Sequence, residues 1–193
     1  MAHVAFVSTK TLFNSPSPRP LKNEAIHLEL AARRLSSRIE QWCIDQGDDF
    51  FDEEDYEDLV KTIVDNYSYW YDGHILCKRL ESYFCMDGDV ELVEICDAIS
   101  FYHDTEYDKE VKRWVKDNGI ELSLSVGDVV EFTREKISGP SNMKGEILSV
   151  GTNLAEYCIH CPSEGHVKIG VGTRGYIVKC EEILRVIKED DVE

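Results

Sequence analysis

Basic residues are scarce in this 193-residue sequence. It contains 21 Lys and Arg residues against 38 Asp and Glu residues, which gives a formal net charge of −17 at pH 7. A surface this negative repels phosphate groups, so we expect no broad, non-specific binding to DNA, RNA or anionic membranes. Hydrophobic residues make up 42% of the chain, which is enough to build a packed core.

Long apolar runs are also absent from the sequence. No stretch of about 18 apolar residues occurs, which argues against a transmembrane helix. The first residues, Met1 to Val7, lack a basic segment and a long apolar segment, so we expect no signal peptide. The seven cysteines are an odd number and do not indicate a disulfide framework. Together these features predict a cytoplasmic protein whose cysteines are reduced.

The sequence also lacks the common catalytic signatures, namely G-x-S-x-G, H-E-x-x-H and the P-loop. One motif, Gly170–Gly175, matches G-x-G-x-x-G. A dinucleotide site needs a helix after this turn, whereas Tyr176–Val178 predicts a strand. We therefore interpret the motif as a glycine-rich hairpin loop, and we predict that the protein is not an enzyme.

Two halves of different character follow an N-terminal segment. We assign residues 1–20 to a short strand and a proline-rich arm, because closely spaced prolines exclude both helix and central strand. Apolar residues then recur every three or four positions, which predicts an acidic helical domain over 21–120 with five helices. Its helices are expected at about 22–43, after Asp52, at 74–84, from Asp89 and from Asp104 to the Asn118-Gly119 stop.

After residue 120 the hydrophobic period becomes two, which predicts short antiparallel strands over 121–188 and an acidic, disordered tail at 189–193. The first of these strands is expected at Leu122–Val126. The pattern resembles SH3-like small barrels of the KOW and Tudor type. The matching residues are Ser125–Phe132, Lys144–Ile147, Tyr157–Ile159, Tyr176–Val178 and Ile183–Val186. The fold class expected is therefore α+β, a helical domain followed by an SH3-like antiparallel β-barrel, and the resemblance implies binding to proteins or nucleic acids.

A cysteine and histidine cluster lies in the predicted barrel. The spacing Cys158-x2-Cys161-x4-His166 begins like a zinc knuckle, and Cys180 follows as a distant fourth ligand. A regular strand over 156–161 would place the first two thiols on opposite faces, however. We expect packing cysteines and a surface histidine, no metal and no cofactor, with a structural zinc as the minor alternative.

The most acidic segment runs from Asp48 to Asp58. No register of this segment supplies the central glycine of a calcium-binding EF-hand loop. The plain interpretation is a helix start with a solvated face, whereas the functional one is an acidic docking surface with aromatic anchors. The candidate partner-binding residues are Asp48, Asp49, Asp52, Glu53, Glu54, Asp55, Tyr56, Glu57, Asp58 and Trp70.

These observations favour a non-catalytic acidic binding protein. Its carboxylates would imitate nucleic-acid phosphates and occupy a basic, nucleic-acid-binding protein surface. By analogy, such proteins are frequent among viral and phage inhibitors of host defence. The alternative is a nucleic-acid-associated regulator or adaptor that uses the barrel for contact. Its candidate contact residues are Arg134, Lys136, Lys144, Lys168 and Arg174.

Overall fold

The computed structural model describes residues 17–47, 52–68, 72–85, 87–136, 139–162 and 175–187. In this part of the chain, α-helices come first and an antiparallel sheet follows, so the protein belongs to the α+β class. The helices are α1 (Ala25–Gln46), α2 (Glu53–Asn66), α3 (Gly73–Phe84) and α4 (Val90–Asp117). The strands are β1 (Val129–Lys136), β2 (Gly139–Gly151), β3 (Glu156–His160), β4 (Tyr176–Lys179) and β5 (Ile183–Ile187). The short strand predicted in the N-terminal segment and the acidic tail predicted at 189–193 lie outside the described residues.

The first three helices begin close to the predicted residues, and α1 and α3 also end close to them. The buried face of α1 carries Ala31, Leu35 and Ile39, whose four-residue steps place them on one side of the helix. The helix ends at Gly47, which adopts a φ of +90° and donates its N–H to the carbonyls of Cys43 and Ile44. A left-handed residue at this position favours glycine because it has no Cβ.

A single long helix, α4, replaces the two helices predicted from Asp89 and Asp104. No glycine or proline interrupts residues 90–117, so nothing in the backbone stops the helix at Asp104. Thr105 fits within it by donating its hydroxyl to the Phe101 carbonyl at 2.7 Å. The predicted stop at Asn118-Gly119 is confirmed, because Gly119 has a φ of +58° and Ile120 N–H reaches the Val115 carbonyl at 3.0 Å.

The sheet has the strand order β4-β3-β2-β1-β5, and every neighbouring pair is antiparallel. Among the described residues it is open, with β4 and β5 at its edges. A 3₁₀ turn at Cys180–Glu182 joins these edge strands. The strand predicted over Leu122–Val126 is absent, since this segment leads into a turn in which Gly127 N–H donates to the Ile147 carbonyl at 2.9 Å.

The chain divides into two compact units. One comprises Pro20–Glu110, and the other comprises Val111–Glu193 together with the segment that ends at Arg19. The division falls inside α4, whereas the sequence changes character near residue 120. The helical unit has a continuous core that includes Leu35, Leu59 and Leu80. Buried residues of the sheet unit include Phe132, Ile147, Ile159 and Val178.

The negative charge is concentrated in the helical unit. Residues 20–110 contain 8 Lys and Arg residues and 24 Asp and Glu residues, a formal net charge of −16. The rest of the chain contains 13 and 14, a net charge of −1. Almost all of the net negative charge of the protein therefore lies in the helical unit.

None of the described helices is both long enough and apolar enough to cross a membrane.

Candidate protein-binding surface

The acidic segment forms the first turns of α2. Asp52 is the N-cap residue, and its carboxylate accepts the N–H groups of Glu54 and Asp55 at 2.9 and 3.0 Å. Asp55 closes a capping box by accepting the N–H of Asp52 at 3.3 Å. The carboxylates of Asp52 and Asp55 thus cap the N-terminus of α2. The sequence predicted this role for Asp52.

The carboxylate of Glu57 forms an ion pair with Arg33 of α1. Arg33 donates from Nη1 to Oε1 of Glu57 at 2.7 Å and from Nη2 to Oε2 at 3.0 Å. The hydrogen bonds and positive charge of Arg33 hold the pKa of Glu57 below its ordinary value of 4.5. In turn, the hydrogen bonds to Glu57 and Glu29 and the charges of these two carboxylates raise the pKa of the Arg33 guanidinium. Glu29 also accepts from Arg33, so a single positive charge offsets only part of the charge of these two carboxylates.

Tyr56 also joins α2 to α1. Its hydroxyl donates to the Arg33 carbonyl at 2.8 Å and lies 3.0 Å from the Ser37 hydroxyl. Its ring packs against the helical core and is only partly exposed. The structure therefore places this candidate anchor between two helices, where it joins the first turns of α2 to α1.

Three carboxylates remain fully directed at solvent: Glu53, Glu54 and Asp58 are exposed on α2. Glu54 and Asp58 are four residues apart and share a face of the helix, one turn above each other. We call Glu53, Glu54 and Asp58 the acidic surface. Of the other candidates, Asp48, Asp49 and Trp70 lie outside the described residues.

A groove between α2 and α3 borders this surface. It has a volume of about 330 Å³, and its walls are formed by α2 and by the last turn of α3. The lining includes Asp58, Lys61 and Asp65 of α2 and Tyr83 and Phe84 of α3. Tyr83 is 63% exposed. We call these residues the α2–α3 groove. Asp65 and Tyr83 were not among the residues predicted from the sequence, although the seven-residue spacing of Asp58 and Asp65 predicts a shared helical face.

The cysteines of the minor zinc alternative have different neighbours. A side chain at Gly145 of β2 would collide with Sγ of Cys161, whereas one at Gly175 would collide with Sγ of Cys158. Cys180 donates to Glu181 at 3.3 Å, and burial together with that carboxylate raises its thiol pKa to about 12. Among the described residues, no three His, Cys, Asp or Glu side chains are grouped to hold a metal. His166 lies outside this part.

The alternative function would use basic residues of the sheet unit to contact nucleic acid. The side chains of two of these candidates, Arg134 and Lys144, are described. Arg134 stacks on the ring of Tyr176, with its guanidinium carbon 3.6 Å from the ring centroid. Lys144 is exposed on β2 opposite Glu131, which is itself paired with Arg185 at 2.7 Å. The side chain of Lys136, like Lys168, Arg174 and Gly170–Arg174 of the glycine motif, lies outside the described part.

Comparison with known proteins gives no relative for this chain. No family model, no curated protein and no solved structure matches it.

Proposed function

We propose that this protein is a non-catalytic binding protein whose helical unit occupies a basic, nucleic-acid-binding surface of another protein. The observation that carries the proposal is the confinement of a net charge of −16 to residues 20–110. A net charge of this size steers a basic partner toward the helical unit and accelerates association at low salt.

The acidic surface supplies carboxylates that are free to face such a partner. Asp52 and Asp55 cap the helix and Glu57 is held by Arg33, so Glu53, Glu54 and Asp58 are the side chains best placed for contact. They stand on a helix whose first turn is fixed by a capping box and by the Tyr56 hydroxyl. A helix backbone that is already fixed loses little conformational entropy when it binds.

In mechanism the protein is a steric and electrostatic competitor. Carboxylates at successive positions along α2 take the place of backbone phosphates, and the partner's Lys and Arg residues then become unavailable to nucleic acid. The chain itself repels nucleic acid. The protein therefore acts as an inhibitor, of the nucleic-acid-mimic type that viral and phage proteins use against host defence.

For the sheet unit, we propose the fold of an SH3-like small barrel. Four strands form a meander, and after a 3₁₀ turn the fifth returns to pair with the first. This strand order supports the resemblance seen in the sequence.

The binding function is tested by affinity capture with the full chain. Immobilised wild-type protein is incubated with lysate, and bound proteins are eluted with short duplex DNA and then with salt. The test variant is Glu53→Gln/Glu54→Gln/Asp58→Asn, which leaves both capping residues intact. The control variant Glu91→Gln/Glu94→Gln/Asp87→Asn makes the same charge change at exposed positions elsewhere in the helical unit.

We expect the wild type and the control to retain nucleic-acid-binding proteins that DNA releases, and the test variant to retain far less. If the test variant and the control retain these proteins equally, the acidic surface is not the binding site. If DNA releases nothing from the wild type, the competitor function is wrong.

A second candidate, contact with nucleic acid through the sheet unit, is favoured by one observation. Outside the helical unit the net charge is only −1, and Arg134 lies over Tyr176, a pair that suits stacking of an unpaired base. Fluorescence anisotropy of the full chain with single-stranded RNA at low salt tests it. Binding that Arg134→Gln removes would support this candidate, and the absence of binding in the wild type would end it.

A further inference from the structure

The exposed ring of Tyr83 lies beside two carboxylates in the α2–α3 groove. Asp58 and Asp65 are separated by seven residues, or about 10 Å along the helix, and both are exposed. They lie on one face of α2, with Tyr83 and Phe84 across the groove. An aromatic face next to carboxylates is a chemical environment that attracts a cation.

The end of α3 adds to this negative potential. The helix ends at Phe84, and its last turn contains no basic residue. The carbonyl groups at a helix C-terminus carry a partial negative charge that favours a cation nearby. Lys61, from the middle of α2, is the positive charge on the groove wall, between the two aspartates in sequence. The groove thus keeps a net negative charge from its side chains alone.

We infer that the α2–α3 groove receives an arginine side chain of the basic partner, with the guanidinium stacked on Tyr83 and hydrogen-bonded to Asp58 or Asp65. Arginine fits better than lysine because its planar guanidinium stacks on aromatic rings and is more weakly hydrated than an ammonium group. This inference rests on the proposed function, since the arginine belongs to the same partner. It adds a specific pocket to an otherwise diffuse electrostatic surface.

The size of the groove agrees with this occupant. A volume of about 330 Å³ leaves room for one long side chain such as arginine. Aromatic and arginine side chains are also the residues that most often dominate protein interfaces. Tyr83 is then exposed in the free protein because its ring is covered only in the complex.

The test uses two fluorescein-labelled peptides, nona-arginine and nona-lysine, and measures their affinity for the full chain by anisotropy. We expect the wild type to prefer nona-arginine. Tyr83→Leu should weaken nona-arginine binding about twofold to fivefold, the range of one exposed cation–π contact, and should reduce the preference for arginine. The control is Phe101→Leu, because Phe101 is also an exposed aromatic residue of the helical unit, at 66%.

Charge changes within the groove provide a second pair of readouts. Asp65→Asn should weaken nona-arginine binding more than Glu94→Gln, which removes one charge from α4. Lys61→Gln should strengthen it, because it removes the positive charge from the groove wall. Opposite effects at these neighbouring positions cannot arise from a loss of folding.

The outcomes separate the groove from the proposed function. If Tyr83→Leu behaves like Phe101→Leu while Glu53→Gln/Glu54→Gln weakens binding, the acidic surface stands and the groove is not an arginine site. If the wild type binds neither peptide at low salt, the proposed function itself fails.

Discussion

Arg33 of α1 holds Glu57 of α2 through both of its carboxylate oxygens, at 2.7 and 3.0 Å. The pair divides the acidic segment into carboxylates that build the helical unit and carboxylates that face solvent. Glu57 belongs to the first group, although its position in the sequence does not distinguish it from Glu54. The division determines which substitutions can test binding without also testing folding.

Arg33 should control the ionisation of Glu57. In the wild type the Glu57 carboxyl titrates below 4.5, and the stability that the pair provides is present at neutral pH. It is lost as the pH falls through the folded-state pKa, because the folded state then takes up the proton and the pair dissolves. Carboxyl NMR titration should show that Arg33→Gln moves the Glu57 pKa back toward its ordinary value, whereas Arg38→Gln leaves it lowered. A pKa that does not respond to Arg33→Gln contradicts the pairing.

Gly73 should be irreplaceable at the start of α3. A Cβ at this position would collide with the Val93 carbonyl and the Asp97 N–H of α4, and Gly73 itself donates its N–H to the Asp97 carboxylate. Gly73→Ala is expected to destabilise the protein by about 1–3 kcal/mol, measured by urea unfolding. Ser82→Ala, at an exposed position of the same helix, is the control and should change stability little. Equal effects of the two substitutions would refute close packing at Gly73.

His103 should make the helical unit sensitive to acid. It is 7% exposed, its ring lies edge-on to Tyr67, and its Nδ1 has no hydrogen-bond partner among the described residues. Burial lowers its pKa below 6.5, against the opposing charge of Asp104. The charges of Lys22 and His27 also lower this pKa, whereas a hydrogen bond with the Lys22 backbone raises it. Because the unfolded chain then binds more protons, unfolding free energy should decrease as the pH falls below about 6.5.

The His103→Gln variant provides the test of that decrease. Urea unfolding at pH 7.5, 6.5 and 5.5 should show a smaller loss of stability with acid in the variant than in the wild type. His74→Gln, at an exposed position of α3, shows whether the loss of any imidazole has the same effect. A wild-type pH profile retained in His103→Gln would contradict a role for this residue.

Arg19 should anchor the proline-rich arm to the sheet unit. Its side chain is 5% exposed and pairs with Glu156 at 3.2 Å and Glu181 at 2.9 Å. Its guanidinium also donates to the carbonyls of Leu154 and Ala155, the second at 3.0 Å. Arg19→Ala should cost about 3 kcal/mol of unfolding free energy, because it leaves the partly buried carboxylates of Glu156 and Glu181 without their cation.

An exposed arginine of the same unit is the control for Arg19. Arg185 is paired with Glu131 but is 48% exposed, so Arg185→Ala should cost less than about 1 kcal/mol. Urea unfolding of the full chain compares the two variants with the wild type. Similar losses from both would show that burial of Arg19 contributes nothing.

The sequence predicted the elements better than their connections. The hydrophobic period and the capping residues predicted the start of α2 and the end of α4, because period and capping depend only on residues close together in sequence. The merging of two predicted helices into α4 was missed because Asp104 resembles a helix start, although nothing interrupts the backbone there. Leu122–Val126 alternates like a strand, but a ladder also needs a partner strand, which a local pattern does not reveal.

The candidate site was predicted in composition but not in geometry. The acidic run and its helix start follow from the sequence, whereas the pairing of Arg33 with Glu57 depends on how α1 packs against α2. The α2–α3 groove depends in the same way on the position of the last turn of α3 beside α2. Interactions between residues far apart in sequence are the part that local reasoning cannot provide.

The most direct test of the proposed function is the salt dependence of one captured partner's affinity, measured with and without duplex DNA. For the wild type we expect affinity to fall steeply with salt and DNA to compete for the same partner. Glu53→Gln/Glu54→Gln/Asp58→Asn should bind more weakly and with a shallower salt dependence. The control variant Glu91→Gln/Glu94→Gln/Asp87→Asn should behave like the wild type. A partner that binds the wild type and DNA simultaneously, with equal salt dependence in all three proteins, would contradict the competitor mechanism.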